Sequence, residues 1–404
     1  MPKITFIGDI MCEKPLQNYY LKHSKEAFAD LFRSASPLWR DSDFVVGNLE
    51  TVFGGEAAGY TKELYNFNTP DALAKSLKEG GVDLVTTATN HALDRGIAGL
   101  IRTAEVLEGV GVSYTGTSKD PNKRSPVFFQ TLGGVRVAFI SYTYGTNTHE
   151  TKLILTHNER KHLNLLKPQS YRTQTVVGAP IRRSLPRRVL GRVARCIPTE
   201  VRMRLLKKLG RPYNVPRVDH LAPHESEEFF LEDLNKDLED ARRGADYVVA
   251  CLHMGGQFND APGTFSQFVT DYLREAGVDL MIGTHPHVVQ RYERKGRTDL
   301  FYCLGNFSIS PSSIYLLPEF KPEYSIAVHL YLTDQGKKSK ITFSILKLLE
   351  NEQGGLRVVP LDELIRSADA QEEQALRADA RFIAERVLGP LPAEQLIQRE
   401  YEIP

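Results

Sequence analysis

The chain has no run of about eighteen apolar residues that would span a bilayer. Its opening Met1-Pro2-Lys3 passes straight into a strand-like stretch rather than a signal peptide. Both absences point to the cytoplasm. Only four cysteines occur, Cys12, Cys196, Cys251 and Cys303, scattered without a paired framework. Disulfides are therefore not expected, and a free thiol within an apolar run behaves as a small hydrophobe. No glycine-rich phosphate loop opens a helix after the first strand, which excludes a dinucleotide-binding or P-loop reading. The net charge is only +1, yet Arg182 to Arg211 holds eleven Lys and Arg against one acid, Glu200. Such an excess suits an acidic polymer, a phosphate or a membrane surface, and a solvated basic face stays open beside these. Interleaved aromatics and a recognition motif are both missing there, which argues against nucleic acid as a partner.

The 404 residues, 41% hydrophobic and 25% charged, suffice for a large buried core. Short β-branched runs recur, each followed by a helix-like segment: Ile4 to Ile7, Phe44 to Val46, Leu84 to Thr87, Val135 to Ser141, Tyr247 to Leu252, Asp279 to Ile282 and Leu300 to Leu304. This alternation predicts α/β layering. Helical spacing covers Thr69 to Glu79 and Ile97 to Leu107. Ile326 to Leu332 and Ile341 to Leu349 alternate as an antiparallel pair around Asp334-Gln335-Gly336. We expect one domain over 1–350, with about 149–224 as a basic, partly helical insertion able to act as a lid. A stripe from Leu185 to Leu209 recurs every four residues there, and Pro198 splits it into two helices. Residues 351–404 are expected as a helical extension, with one or two charged amphipathic helices over Leu361 to Leu388.

The polar residues collect at one kind of place. Asp9, Glu50, Asn90, His91, His253, His285 and His287 each lie just past the carboxyl end of an expected strand, where ligands bind in open α/β sheets. One Asp, one Glu, one Asn and several His form a ligand set suited to Mn, Fe or Zn rather than Ca or Mg. His91 and Asp94 share a face if a helix starts there, which lets the carboxylate orient the imidazole. His285 and His287, two apart around Pro286, can point the same way in an extended chain. Taken singly, Asp9 also reads as a turn or cap, Glu50 as a solvated loop acid and His253 as a core histidine.

Gly8-Asp9-Ile10-Met11, Gly47-Asn48-Leu49-Glu50, Thr89-Asn90-His91-Ala92-Leu93-Asp94-Arg95-Gly96, His253-Met254-Gly255-Gly256, Gly283-Thr284-His285-Pro286-His287-Val288-Val289-Gln290 and Leu304-Gly305-Asn306-Phe307 stand in this order. They resemble the motifs of the CapA family, named for poly-γ-glutamate capsule synthesis, from residue 3 to about residue 310. That family is similar in fold to calcineurin-like metallophosphoesterases, so the resemblance implies two β-sheets flanked by helices and a divalent metal centre of one or two ions. By that resemblance Asp9 ligates one ion with His287, Glu50 bridges, and Asn90, His253 and His285 hold the second. His91 is then the free acid/base, with Asp94 beside it, while Tyr142, Tyr144, Asn147, Asn306 and Arg95 face the substrate, a packing role staying open for Tyr142, Tyr144 and Asn147. The sequence departs from the phosphoesterase pattern at Met11, where a histidine is usual, and at Glu50, where an aspartate is. Gln257, and Cys12-Glu13-Lys14, depart from the family's own usual residues.

Three functions fit these residues. One is a hydrolase of a phosphate ester or of an amide in a glutamate-rich or peptide substrate. Another is a peptide-modifying enzyme that works by proton transfer, as in epimerisation. The third is a non-catalytic assembly or binding component of a capsule or polymer machine.

Overall fold

Side chains that alternate between faces set the layering. In the computed structural model, Ile4 and Phe6 of the first strand join one buried cluster while Ile7 joins another on the opposite face. The structure describes residues 1–23, 27–62, 64–170, 201, 219–221, 225–313, 316, 318–392 and 397–404. The basic stretch from Arg182 to Arg211, with its expected helices, thus lies outside the described residues except for Val201.

Among the described residues the strands are β1 (Lys3–Ile10), β2 (Phe44–Leu49), β3 (Leu84–Thr86), β4 (Ser113–Thr115), β5 (Val127–Leu132), β6 (Val135–Thr143), β7 (Tyr247–His253), β8 (Leu280–Thr284), β9 (Tyr292–Lys295), β10 (Thr298–Phe301), β11 (Asn306–Ser308), β12 (Tyr324–Leu332), β13 (Lys338–Glu350), β14 (Leu356–Pro360) and β15 (Tyr401–Glu402). One sheet runs β14-β13-β12-β1-β2-β3-β4, with β11 beside β1 and β15 beside β13; the other runs β5-β6-β7-β8-β10-β9. The strands β1 to β4 are mutually parallel, as are β6, β7, β8 and β10. Strands buried on both faces account for the near-continuous apolar runs in the sequence.

The sheets face each other across Phe6, Phe44 and Val46 on one side and Val137, Phe139, Val249 and Ile282 on the other. Outside the first sheet, Leu16, Phe28, Leu73 and Leu107 bring in four helices, Lys14–His23, Ala27–Arg33, Ala72–Glu79 and Gly96–Val110. Outside the second, Leu234, Leu238, Phe265 and Val269 bring in Leu231–Gly244 and Thr264–Glu275. The architecture is a mixed α/β sandwich of two sheets flanked by helices.

Two expected segments are described in part. Within the expected insertion, Leu155, Leu163 and Leu165 are buried against Ala88, Ala92 and Leu93, and Leu165 bridges Thr143. The tail carries strands as well as helices. Its helices Leu361–Ser367 and Ala370–Leu388 are present, but β14 and β15 both pair with β13. No helix among the described residues is long and apolar enough to cross a membrane.

His329 on β12 is fully buried, with Nδ1 2.8 Å from Thr5 Oγ1 and Nε2 3.3 Å from Ser344 Oγ. Burial, aided by Lys3 and opposed by Glu400 and Asp41, pushes its pKa down to about 4. An unfolded histidine titrates near 6.5. The neutral ring therefore contributes stability that is complete above about pH 6.5 and lost as the pH falls toward 4, at up to about 1.4 kcal/mol per pH unit. Urea unfolding between pH 7 and 4 should show this slope, and His329→Gln should flatten it.

Candidate metal centre

The first strand delivers its aspartate through a close backbone contact. A Cβ at Gly8 would lie 2.0 Å from the carbonyl oxygen of Gly305, so only glycine fits. The pairing of β1 with β2 shifts register between Ile7 and Asp9, and the Asp9 amide then donates to Gly305 O at 3.0 Å. Glu50 follows β2 directly, its amide donating to Ile10 O. Asn90 and His91 sit in successive turns rather than in a helix, which starts only at Gly96. The His91–Asp94 pairing expected of a helix face is nonetheless made within that turn, Nδ1 lying 2.5 Å from Asp94 Oδ2.

From the second sheet, His253 ends β7 and His285 and His287 follow β8. Both of the latter have left-handed backbones, φ 93° and 59°, so they converge through a strained turn and not through the extended chain expected from their spacing. Their ring centroids are 5.7 Å apart.

These elements meet at Glu50, whose side chain is 0% exposed. Its Oε1 lies 3.4 Å from His253 Nε2, 3.7 Å from His287 Nε2, and 3.9 Å from both His285 Nδ1 and His91 Nε2. Two overlapping groups share it: Glu50, His253 and His285, and Asp9, Glu50 and His287. Asn90 Oδ1 extends the first group, 2.8 Å from His253 Nε2. Among the described residues neither Glu50 oxygen nor His285 Nδ1 has a hydrogen-bond partner, although all three are buried. Buried polar atoms are almost always paired, so these orphaned lone pairs, all of ligand type, fit a divalent metal.

The electrostatics divide the centre into groups that hold protons and groups that do not. Burial drives the Glu50 carboxyl up to about 8, with Asp9 adding to the rise and His287 and His91 opposing it. Burial pushes His253 down to about 3 and His285 well below its usual range, so both keep a lone pair to offer. For His287 burial also favours the neutral ring, but Glu50, Asp9 and Asn306 outweigh it and raise the ring to about 9. His91 is likewise raised, Asp94 and Glu50 overcoming its burial.

Of the residues expected to face substrate, three have other occupations. Tyr142 lies on the outer face of β6, its hydroxyl bonded to Asp237 and contacted by Arg124 Nη2 at 3.3 Å. The strand runs on to Thr143, two residues past its expected end, and the alternation turns Tyr142 away from the centre. Asn306 is spent on His287: its Oδ1 lies 2.9 Å from His287 Nδ1, and its Nδ2 donates to the carbonyls of His287 and Pro322. Arg95 donates to the carbonyls of Ala58, Gly59 and Asp94 and to Asn66 Oδ1, bracing the loop that precedes Phe67. Tyr144 does reach the centre, its ring 4.7 Å from that of His285, and Asn147 lies against Asn90 and His91.

Two contributors were not singled out from sequence. Asn48 donates to Asp9 Oδ1 at 2.7 Å and lies 3.3 Å from His253 Nδ1. The period of two along a strand, counted back from Glu50, is the signal that finds it. Phe67 stacks on His91 with centroids 4.2 Å apart and planes at 15°, a pairing no local pattern announces.

The family model described as bacterial capsule synthesis protein PGA_cap matches residues 3–311. The chain belongs to that family. It is 23% identical over 307 residues to capsule biosynthesis protein CapA of Bacillus anthracis, covering 75% of this chain and 59% of the relative. It is 24% identical over 311 residues to PGA biosynthesis protein CapA of Bacillus subtilis (strain 168), covering 75% and 62%. The matched stretch thus spans about three-fifths of each relative's length. Among solved structures, a putative 5'-nucleotidase from Staphylococcus aureus aligns over 93% of this chain and 58% of its own, with TM-score 0.43 and 12% identity. A 5'-nucleotidase precursor from Thermus thermophilus aligns over 95% and 59%, with TM-score 0.36 and 13% identity.

The outward placement of Tyr142 can be checked through its partners. Arg124 and Asp237 form a largely buried bidentate pair, at 3.0 and 2.6 Å. Asp237→Ala should cost roughly 3–5 kcal/mol of stability by stranding the guanidinium, and Tyr142→Phe about 1 kcal/mol. Chemical denaturation measures both, and metal content should change in neither variant. A changed metal content in Tyr142→Phe with unaltered stability would return that residue to the site.

Proposed function

We propose that the chain is a metal-dependent hydrolase of a phosphate ester. The observation that carries this reading is the buried, donor-less Glu50 carboxylate shared by two groups of metal-ligating side chains. Asp9, Glu50 and His287 would hold one ion, and Glu50, Asn90, His253 and His285 a second. When bound, divalent ions supply Lewis acidity that polarises a phosphoryl group and acidifies water.

The chain's own groups do the rest. His91 is pinned through Nδ1 by Asp94, which leaves Nε2 facing Glu50. From there Nε2 can hand its proton to the departing oxygen, and the Asp94 carboxylate stabilises the charged ring until it does. Phe67 covers one face of that ring. Tyr144, whose ring lies against His285, would contact the substrate's oxygens. An amide of a glutamate-rich substrate is the second reading, favoured because one relative is named for PGA biosynthesis. The segment from Arg182 to Arg211 would contact an acidic polymer or membrane surface in either case.

Turnover of a chromogenic phosphodiester by the manganese-loaded protein tests the reading. His91→Asn should lower kcat by about 10²–10⁴-fold with metal content unchanged. Equal turnover in the variant would remove His91 from the chemistry. Cleavage of poly-γ-glutamate but not of the diester would select the amide. Tight binding of that polymer with no turnover of either substrate would leave an assembly component.

A further inference from the structure

Asn147 bridges the two halves of the centre. It follows β6 of the second sheet, whereas Asn90 and His91 follow β3 of the first. Its backbone amide donates to Asn90 O at 2.9 Å, and its own carbonyl accepts from the amides of Glu150 and Thr151, which fixes the loop. The side chain makes two further contacts. Its Oδ1 accepts from Asn90 Nδ2 at 3.0 Å, and its Nδ2 lies 3.2 Å from His91 Nδ1 and 3.4 Å from His91 Nε2.

The two ends of an asparagine amide have nearly the same shape, but only the oxygen offers lone pairs to a cation. Asn90 turns its oxygen toward His253 Nε2, at 2.8 Å, because its nitrogen is held on the other side. Asn147 Oδ1 is the acceptor that holds it. The bonded loop carries the Asn147 amide over His91. Near-equal distances to both ring nitrogens place Asn147 Nδ2 over the ring face and not along either lone pair. Asn90 Nδ2, which can only donate, fixes the other end of the Asn147 amide as the oxygen. Phe67 occupies the opposite face, since two groups at these distances cannot share one.

We infer that Asn147 is a positioning residue that sets which end of the Asn90 amide faces the metal centre and clamps the ring of His91 from above. The inference rests on the metal centre of the hydrolase reading and adds to it a residue outside the ligand set. Without Asn147 the Asn90 amide is free to turn, and a nitrogen then points where a ligand oxygen is needed. An aspartate at position 90 would escape this control, because both its ends are oxygens.

Manganese titration followed by electron paramagnetic resonance, with thermal unfolding as a check on folding, tests this on the full chain. Asn147→Ala should weaken one class of Mn(II) site by about 10–100-fold, as loss of a group that orients a ligand does. Asn147→Asp keeps the acceptor and should bind Mn(II) no more weakly than the wild type. In an Asn90→Asp background, adding Asn147→Ala should bring no further loss. Unchanged Mn(II) affinity in Asn147→Ala overturns the inference, and so does an equal loss in the Asn90→Asp background, which would show general damage. If the wild-type chain binds no Mn(II), the metal centre itself falls, whatever the Asn147 variants do.

Discussion

The Glu50 carboxylate, fully buried and without a hydrogen-bond donor among the described residues, is the constraint around which the sandwich is arranged. An isolated buried carboxylate costs several kcal/mol and is retained only where positive charge or protonation compensates it. Here Glu50 comes from the first sheet, and the three histidines His253, His285 and His287 that approach its Oε1 come from the ends of β7 and β8 in the second. The site is therefore the seam between the two sheets at their carboxyl ends. Neither sheet could form it alone, which ties the chemistry to the packing of Phe6, Phe44 and Val46 against Phe139, Val249 and Ile282.

Stability is given up at this seam and recovered around it. His285 and His287 hold left-handed backbones that a β-carbon disfavours. Asn306 offsets part of that cost by spending its side chain on the ring and carbonyl of His287 and on Pro322. Arg95 and Phe67 act similarly for His91, the first by bracing the preceding loop and the second by stacking. Such supporting groups fix ring orientation, which a metal or a leaving group requires to within a fraction of an ångström.

The layering and the strand ends that carry the polar residues were legible in the sequence because both follow from local periodicity, whereas the two-sheet arrangement was implied only by the family resemblance. Apolar runs marked β1, β2, β3, β6, β7 and β8, and the polar residue just past most of these runs marked the edge. What stayed hidden depends on contacts between distant parts of the chain. The outward placement of Tyr142 follows from β6 extending two residues further, held by its pairing with β7, because one residue's position decides which face a side chain takes. Asn306 and Arg95 looked ready for substrate because their carbonyl partners lie elsewhere in the fold. The short strands β14 and β15 exist through pairing with β13, which the helical pattern between them conceals. The left-handed turn at His285 and His287 is likewise imposed by its surroundings.

The most direct test of the central claim is elemental analysis of the purified protein beside Glu50→Gln. A shared carboxylate predicts about two transition-metal ions per chain in the wild type and loss of both in the variant. No bound ion after reconstitution with manganese, iron and zinc, or a Glu50→Gln protein that keeps its full complement, would contradict the account.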